Sequence, residues 1–238
     1  MLTKGVLFAL LVLAVISSDV FDQFGPIMQR IIDQSKVEGA TIRECTCEEQ
    51  NDCLIELKGH GLTCAEGCWD KLKGKFSKPD EVKKCLMDKD VEAAMFFDCF
   101  EEKADTCVKT RGKEQVPKHD IEKMLDLFVA HFKSKANKVA NSLSTPIQQL
   151  VGVSEEFGTC VKSCIQDKNK AQGFCFDQKK CQLKLDIPDI KSSLKKCTQE
   201  QNWKDKAEET CKCLSKAGIS EIESICPLVK AAAAKVKD

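Results

Sequence analysis

Sixteen cysteines dominate the chemistry open to this chain. They form two clusters of eight: Cys45, Cys47, Cys53, Cys64, Cys68, Cys85, Cys99 and Cys107, then Cys160, Cys164, Cys175, Cys181, Cys197, Cys211, Cys213 and Cys226. Thiols in such number can form disulfides, hold zinc or exchange electrons. Zinc finds little support, because only His60, His119 and His131 could complete a mixed site and none stands at the usual spacing from a cysteine pair. No C-x-x-C occurs, which argues against an exchange-active redox motif. Structural bridges remain, with no metal and no cofactor expected. The even count lets each cluster close its own bridges. Eight cysteines allow about 105 pairings, so the connectivity stays open.

Bridges persist only in an oxidising compartment. Lys4, the apolar stretch Gly5 to Ile16 and the small residues Ser17 and Ser18 have the form of a signal peptide over residues 1–17, cleaved after Ser17 or Ser18. The expectation is a secreted, extracellular protein. The apolar stretch is shorter than the ~20 residues that a spanning helix needs, and no later segment is apolar enough, so no membrane span is expected.

Other chemistry is sparse. His119-Asp120 resembles the dyad of secreted phospholipases, yet no cysteines flank it and no glycine-rich calcium loop precedes it. Asp120 as a helix cap is the better account. Serine-hydrolase elbows, H-E-x-x-H and phosphate-binding glycine loops are missing, so the chain is not expected to be an enzyme. The 37 basic and 37 acidic side chains cancel, which argues against nucleic acid or an anionic membrane as the main partner. Neither an N-x-S/T sequon nor a Ser-Gly dipeptide is present.

The elements that must position the cysteines are helical. Tyrosine is absent, glycine and proline number only 12 and 6, and Lys, Glu, Ala, Leu and Gln are plentiful, while alternating strand-like runs are missing. The fold class is therefore all-α, cross-linked by disulfides. Residues four apart share a helix face, so Cys64 and Cys68 point one way, as do Cys160 and Cys164, each pair ready to bridge to a facing helix. Cys99 and Cys107 continue that logic beside Met95. The stretches Thr63–Lys71 and Thr159–Lys168 align, and C-x3-C-x16-C occurs twice, which reads as an internal duplication. The organisation is then a first cysteine-rich helical module over residues 18–117, connecting helices over 118–150, and a second cysteine-rich module over 151–238.

In the connecting segment, Asp120 caps a helix to residue 143 whose apolar face carries Ile121, Leu125, Phe128, Phe132, Ala136, Val139 and Leu143. A second helix starts at Pro146 behind Ser144 or Thr145 and runs through Leu150 and Val151. Pro26 opens an earlier amphipathic segment through Ile31 and Ile32, and the Ala231–Ala234 tail reads as a fraying helix end. The face Ile121, Leu125, Phe128, Phe132 and Val139 either packs between the modules or binds an apolar ligand or a partner's groove. Trp69 and Trp203 are contact residues or core on the same argument. The Lys-Lys-Cys triplets ending at Cys85, Cys181 and Cys197 read as solvated helix faces.

With the signal peptide, the repeated C-x3-C-x16-C module and the lysine-rich spacers taken together, the chain resembles nematode secreted cysteine-rich helical proteins of the chondroitin proteoglycan 4-like domain family. The resemblance implies secretion and assigns no catalytic residue. The chain departs from the proteoglycan in lacking Ser-Gly attachment sites, so a glycosaminoglycan-bearing role does not carry over. Three functions follow, in order: a non-enzymatic extracellular interaction or structural protein with an unidentified extracellular protein partner, an extracellular carrier of fatty acids or other small apolar molecules, and last a degraded or unrecognised secreted hydrolase. The carrier calls for an empty apolar pocket lined by the 120–143 helix; the interaction protein calls for a filled core.

Overall fold

A computed structural model describes residues 20–87, 90–140, 145–200 and 203–227. The segment 1–17 expected as a signal peptide, the expected Ser144 cap and the Ala231–Ala234 tail lie outside the described residues. Among the described residues the chain forms helices α1 (Val20–Ser35), α2 (Cys47–Leu72), α3 (Pro79–Met87), α4 (Asp90–Lys103), α5 (Ile121–Ala140), α6 (Thr145–Asn169), α7 (Cys175–Lys179), α8 (Ile187–Glu200) and α9 (Trp203–Lys216). Strands β1 (Lys36–Glu44), β2 (Val116–His119) and β3 (Cys181–Gln182) make one small sheet, and 3-10 turns cover Lys73–Lys75 and Ser220–Ile225. The all-α class with disulfide-stapled helices holds. No helix among these residues is long and apolar enough to cross a membrane.

Helix α2 begins at a reciprocal capping box: the Glu49 N–H donates to the Thr46 hydroxyl at 3.3 Å, and the Thr46 N–H donates to the Glu49 carboxylate at 3.0 Å. Its buried stripe, Cys53, Gly61, Cys64, Ala65, Cys68, Trp69 and Leu72, recurs at helical steps and packs along α6. The two C-x3-C pairs meet there, through bonds Cys64–Cys164 and Cys68–Cys160. Because the earlier cysteine of one helix joins the later one of the other, α2 and α6 run antiparallel.

The remaining bridges interleave the clusters. Cys45–Cys181, Cys53–Cys175, Cys85–Cys213 and Cys99–Cys197 also run from the first cluster to the second, while Cys47–Cys107 and Cys211–Cys226 stay within one. The expectation that each cluster closes its own bridges is therefore corrected: six of the eight staple one cysteine-rich segment to the other. The cause lies in the packing. The main core draws Trp69, Leu72 and Val82 from the first segment and Phe157, Val161, Ile165 and Leu214 from the second, so the cysteines on those faces oppose each other across one shared core.

The sequence reading shows four local departures. The stretch Lys36–Glu44 is a strand, pairing antiparallel with β2 and parallel with β3, although no alternation announces it. Gly39, at φ 70°, and a register shift between Lys36 and Thr41 break the two-residue period there. Pro26 lies inside α1 rather than at its start, and it is exposed, where water can satisfy the carbonyl that its missing N–H leaves open. Helix α4 stops at Lys103, so Cys107 leaves the face that carries Cys99 and bridges back to Cys47. Of the lysine triplets, Lys180 adopts a left-handed φ of 54° at the end of α7 and Cys181 enters β3.

Candidate functional site

An apolar crevice lies among the residues of the main core. Ala65, Trp69 and Leu72 of α2, Val82 of α3, Phe157 of α6, Leu214 of α9 and Ile219 form a buried floor. Phe76, Lys83, Leu86, Leu150, Val153 and Ser154 are the lining residues that reach solvent, whether partly or more fully. The result is a crevice of about 50 Å³ that opens to solvent. Trp69 and Phe76 stack at a centroid distance of 5.5 Å with planes 10° apart, fixing one wall. Among the described lining residues Lys83 is the one ionisable side chain. The Ser154 hydroxyl donates to the Leu150 carbonyl at 2.9 Å, as expected of a serine inside a helix.

A larger, open cleft of about 800 Å³ lies along the α2–α6 seam. Cys160 and Cys164 are partly exposed on its floor, and Lys71, Lys133, Glu155 and Asp167 give its walls charges of both signs. Lys133 and Glu155 pair at 3.6 Å. One oxygen of Glu155 is buried without a hydrogen-bond partner. The cleft is wide, with charged walls over a largely apolar floor, and no nucleophile–base pair forms among its described lining residues.

Two buried polar groupings fix other parts of the frame. Arg43 makes a two-pronged ion pair with Glu49, both contacts at 2.7 Å, and also donates to the carbonyls of Glu44 at 3.1 Å and Lys179 at 3.0 Å. The guanidinium and the Thr46 N–H hold the Glu49 carboxyl at about 2, well below its ordinary value, against a smaller opposing effect of burial. Ser35 and His119 form the second grouping, with Ser35 Oγ 3.0 Å from Nδ1 of His119. A serine–histidine contact raises the question of a nucleophile. Ser35 is fully buried and its hydroxyl donates to the Ile32 carbonyl at 2.9 Å, so no substrate reaches it and its proton is engaged.

All sixteen sequence-singled cysteines are in bridges, and none is free. Of the proposed apolar-ligand face, Ile121 packs against the cluster around Cys45 and Phe176, and Leu125 against the main core. Phe128 is partly exposed on α5. Phe132 and Val139 lie on α5, and their side chains are outside the described residues, as is that of Trp203 on α9. The apolar crevice draws on α2, α3, α6 and α9 instead. Its Leu86 and Val153 carried no sequence signal beyond ordinary helical amphipathicity, and Lys83 was read only as part of a solvated Lys-Lys-Cys face. Among the described residues, no group of three or more His, Cys, Asp or Glu side chains could hold a metal ion. No protein-family model matches the chain, and neither a curated protein nor a solved structure matches it.

Proposed function

We propose that the mature chain acts outside the cell as a rigid, non-enzymatic binding or structural protein whose partner is another extracellular macromolecule. The observation that supports this reading is the bridge network: all sixteen cysteines are paired, and six bonds tie the two cysteine-rich segments together. Such a frame is compatible with an oxidising compartment. It presents a surface ordered in advance, so a partner meets little entropic cost of arranging it. The spacing resemblance to nematode cysteine-rich helical proteins belongs to the same reading.

Expression of the full chain in eukaryotic cells tests it. The medium should contain a chain beginning at residue 18 or 19, lighter by sixteen hydrogens than its reduced form and resistant to trypsin until reduced. Retention in the cell, or free thiols in the secreted product, overturns the reading. The carrier alternative draws on the apolar crevice rather than on the α5 face.

A further inference from the structure

We propose that the crevice between α2, α3, α6 and α9 binds a short-chain carboxylic acid, its hydrocarbon tail over the buried floor and its carboxylate paired with Lys83. This inference does not depend on the macromolecular reading above. The volume sets the tail. At about 50 Å³ the space is about a third of the ~150 Å³ cavity that takes up benzene in a well-studied apolar core, which suits a chain of a few carbons and excludes a long one. The floor of Trp69, Leu72 and Leu214 offers such a tail no polar partner, and an apolar recess of this kind holds water poorly.

Charge sets the head group. Three neighbouring cations are already matched: Lys73 with Asp70 at 3.3 Å, Lys75 with Glu156, and Lys78 with Glu81 at 3.3 Å. Among the described residues no carboxylate lies within ion-pair distance of Lys83, whose stem forms part of the wall while its residue remains partly exposed. A long amine that buries its methylenes and keeps its charge at the water boundary is the geometry of a snorkelling lysine. An apolar recess bordered by a single cationic side chain suits a small amphiphile, its tail in the recess and its charge at the rim. An acid satisfies both parts; an alcohol satisfies only the recess.

Trp69 lines the floor and reports occupancy through its indole N–H resonance, assigned in the full oxidised protein by comparison with a Trp69→Phe variant. Propionate and butyrate are titrated against propanol and butanol. The proposal expects a saturable shift of the Trp69 signal, with each acid binding about fivefold more tightly than its alcohol, as a charge-assisted contact near the surface would give. Lys83→Met should reduce the acid to the affinity of the alcohol and leave the alcohol unchanged, and Val153→Trp at the mouth should abolish both. Three results overturn it: no saturable shift with any acid, equal binding of acid and alcohol to the unaltered protein, or an acid preference that survives Lys83→Met. The first two need no variant to fold.

Discussion

Ser35 Oγ lies 3.0 Å from Nδ1 of His119, and through this contact the end of α1 is tied to the end of β2. The serine hydroxyl also lies 2.9 Å from the Ile32 carbonyl, to which it donates. The His119 N–H donates to the Gln182 side chain at 3.1 Å, whose amide donates to the Pro117 carbonyl at 2.8 Å. The Asp120 N–H donates to the Ser35 carbonyl at 2.9 Å. A helix end and two strands thus share one buried polar network, in which every bond named has its partner.

His119 should make the fold acid-sensitive in the mildly acidic range. Burial, and to a lesser degree the Lys36 ammonium, lower its pKa below the ordinary 6.5, partly offset by the Ile32 carbonyl and Asp33. The unfolded chain then binds a proton more readily than the folded one. Stability is full above the unfolded value and falls as pH drops from about 6.5 through the lower folded value. Urea midpoints measured from pH 8 to pH 5 should decline, and His119→Gln should flatten that decline. An unchanged slope in the variant would place the sensitivity elsewhere.

Glu49 should govern a second, more acidic limb. Its carboxyl is held at about 2 against an ordinary 4.5, chiefly by the Arg43 guanidinium. The associated stability is complete above the unfolded value and disappears as pH falls from about 4.5 toward 2. A shift of this size corresponds to about 3 kcal/mol if fully realised, and solvent screening at a carboxylate still 20% exposed reduces it to about 1 kcal/mol. Glu49→Gln should remove this limb at pH 3 and cost about 1–3 kcal/mol at pH 7, because Arg43 is 9% exposed and would lose its charge partner. Denaturant titrations at the two pH values check both parts.

Two glycines should respond oppositely to alanine. Gly59 is an exposed position within α2, and a Cβ there meets nothing within 4 Å, so Gly59→Ala should stabilise by about 0.5–1 kcal/mol through helix propensity. Gly218, after α9, has φ +98°, and its Cβ would come 2.7 Å from the Ser77 hydroxyl. Rotation of exposed Ser77 can relieve the clash, but the backbone conformation remains, so Gly218→Ala should cost about 1–2 kcal/mol. Thermal midpoints moving in the same direction for both would contradict the local geometry.

The helical class was legible because it rests on local signals. The C-x3-C pairs place thiols on one face at any helical position, and the spacing in Ile121, Leu125 and Phe128 anticipated α5, which runs Ile121–Ala140. Pro146 likewise anticipated α6, which begins one residue earlier. The bridge map was not legible, since it depends on which helix faces oppose each other across the core, a property of tertiary packing. The third cysteines of the repeat show this: Cys85 stands in α3 and bridges to α9, while Cys181 stands in β3 and bridges to Cys45. Strand β1 was hidden by its glycine and register shift, and the crevice by its assembly from four helices that are distant in sequence.

The paired bridges across the α2–α6 seam should be strongly coupled. Cys64–Cys164 alone would close a loop of sequence separation 100, worth about 4.7 kcal/mol in the chain-entropy account. The Cys68–Cys160 bridge lies four residues away on each helix, so while it remains the loop that Cys64–Cys164 closes in the unfolded chain is only about ten residues, worth about 2.7 kcal/mol. The converse holds for removal of the other bridge. Deleting either pair as Cys→Ala should therefore cost about 2–3 kcal/mol, and deleting both should cost more than the sum, because the second deletion reopens a loop bounded only by Cys53–Cys175. Guanidinium unfolding of the three oxidised variants gives the coupling directly. Single deletions that each cost the full long-loop value would mean that the neighbouring bridge does not restrain the unfolded chain, and the seam would then be two independent links rather than one clamp.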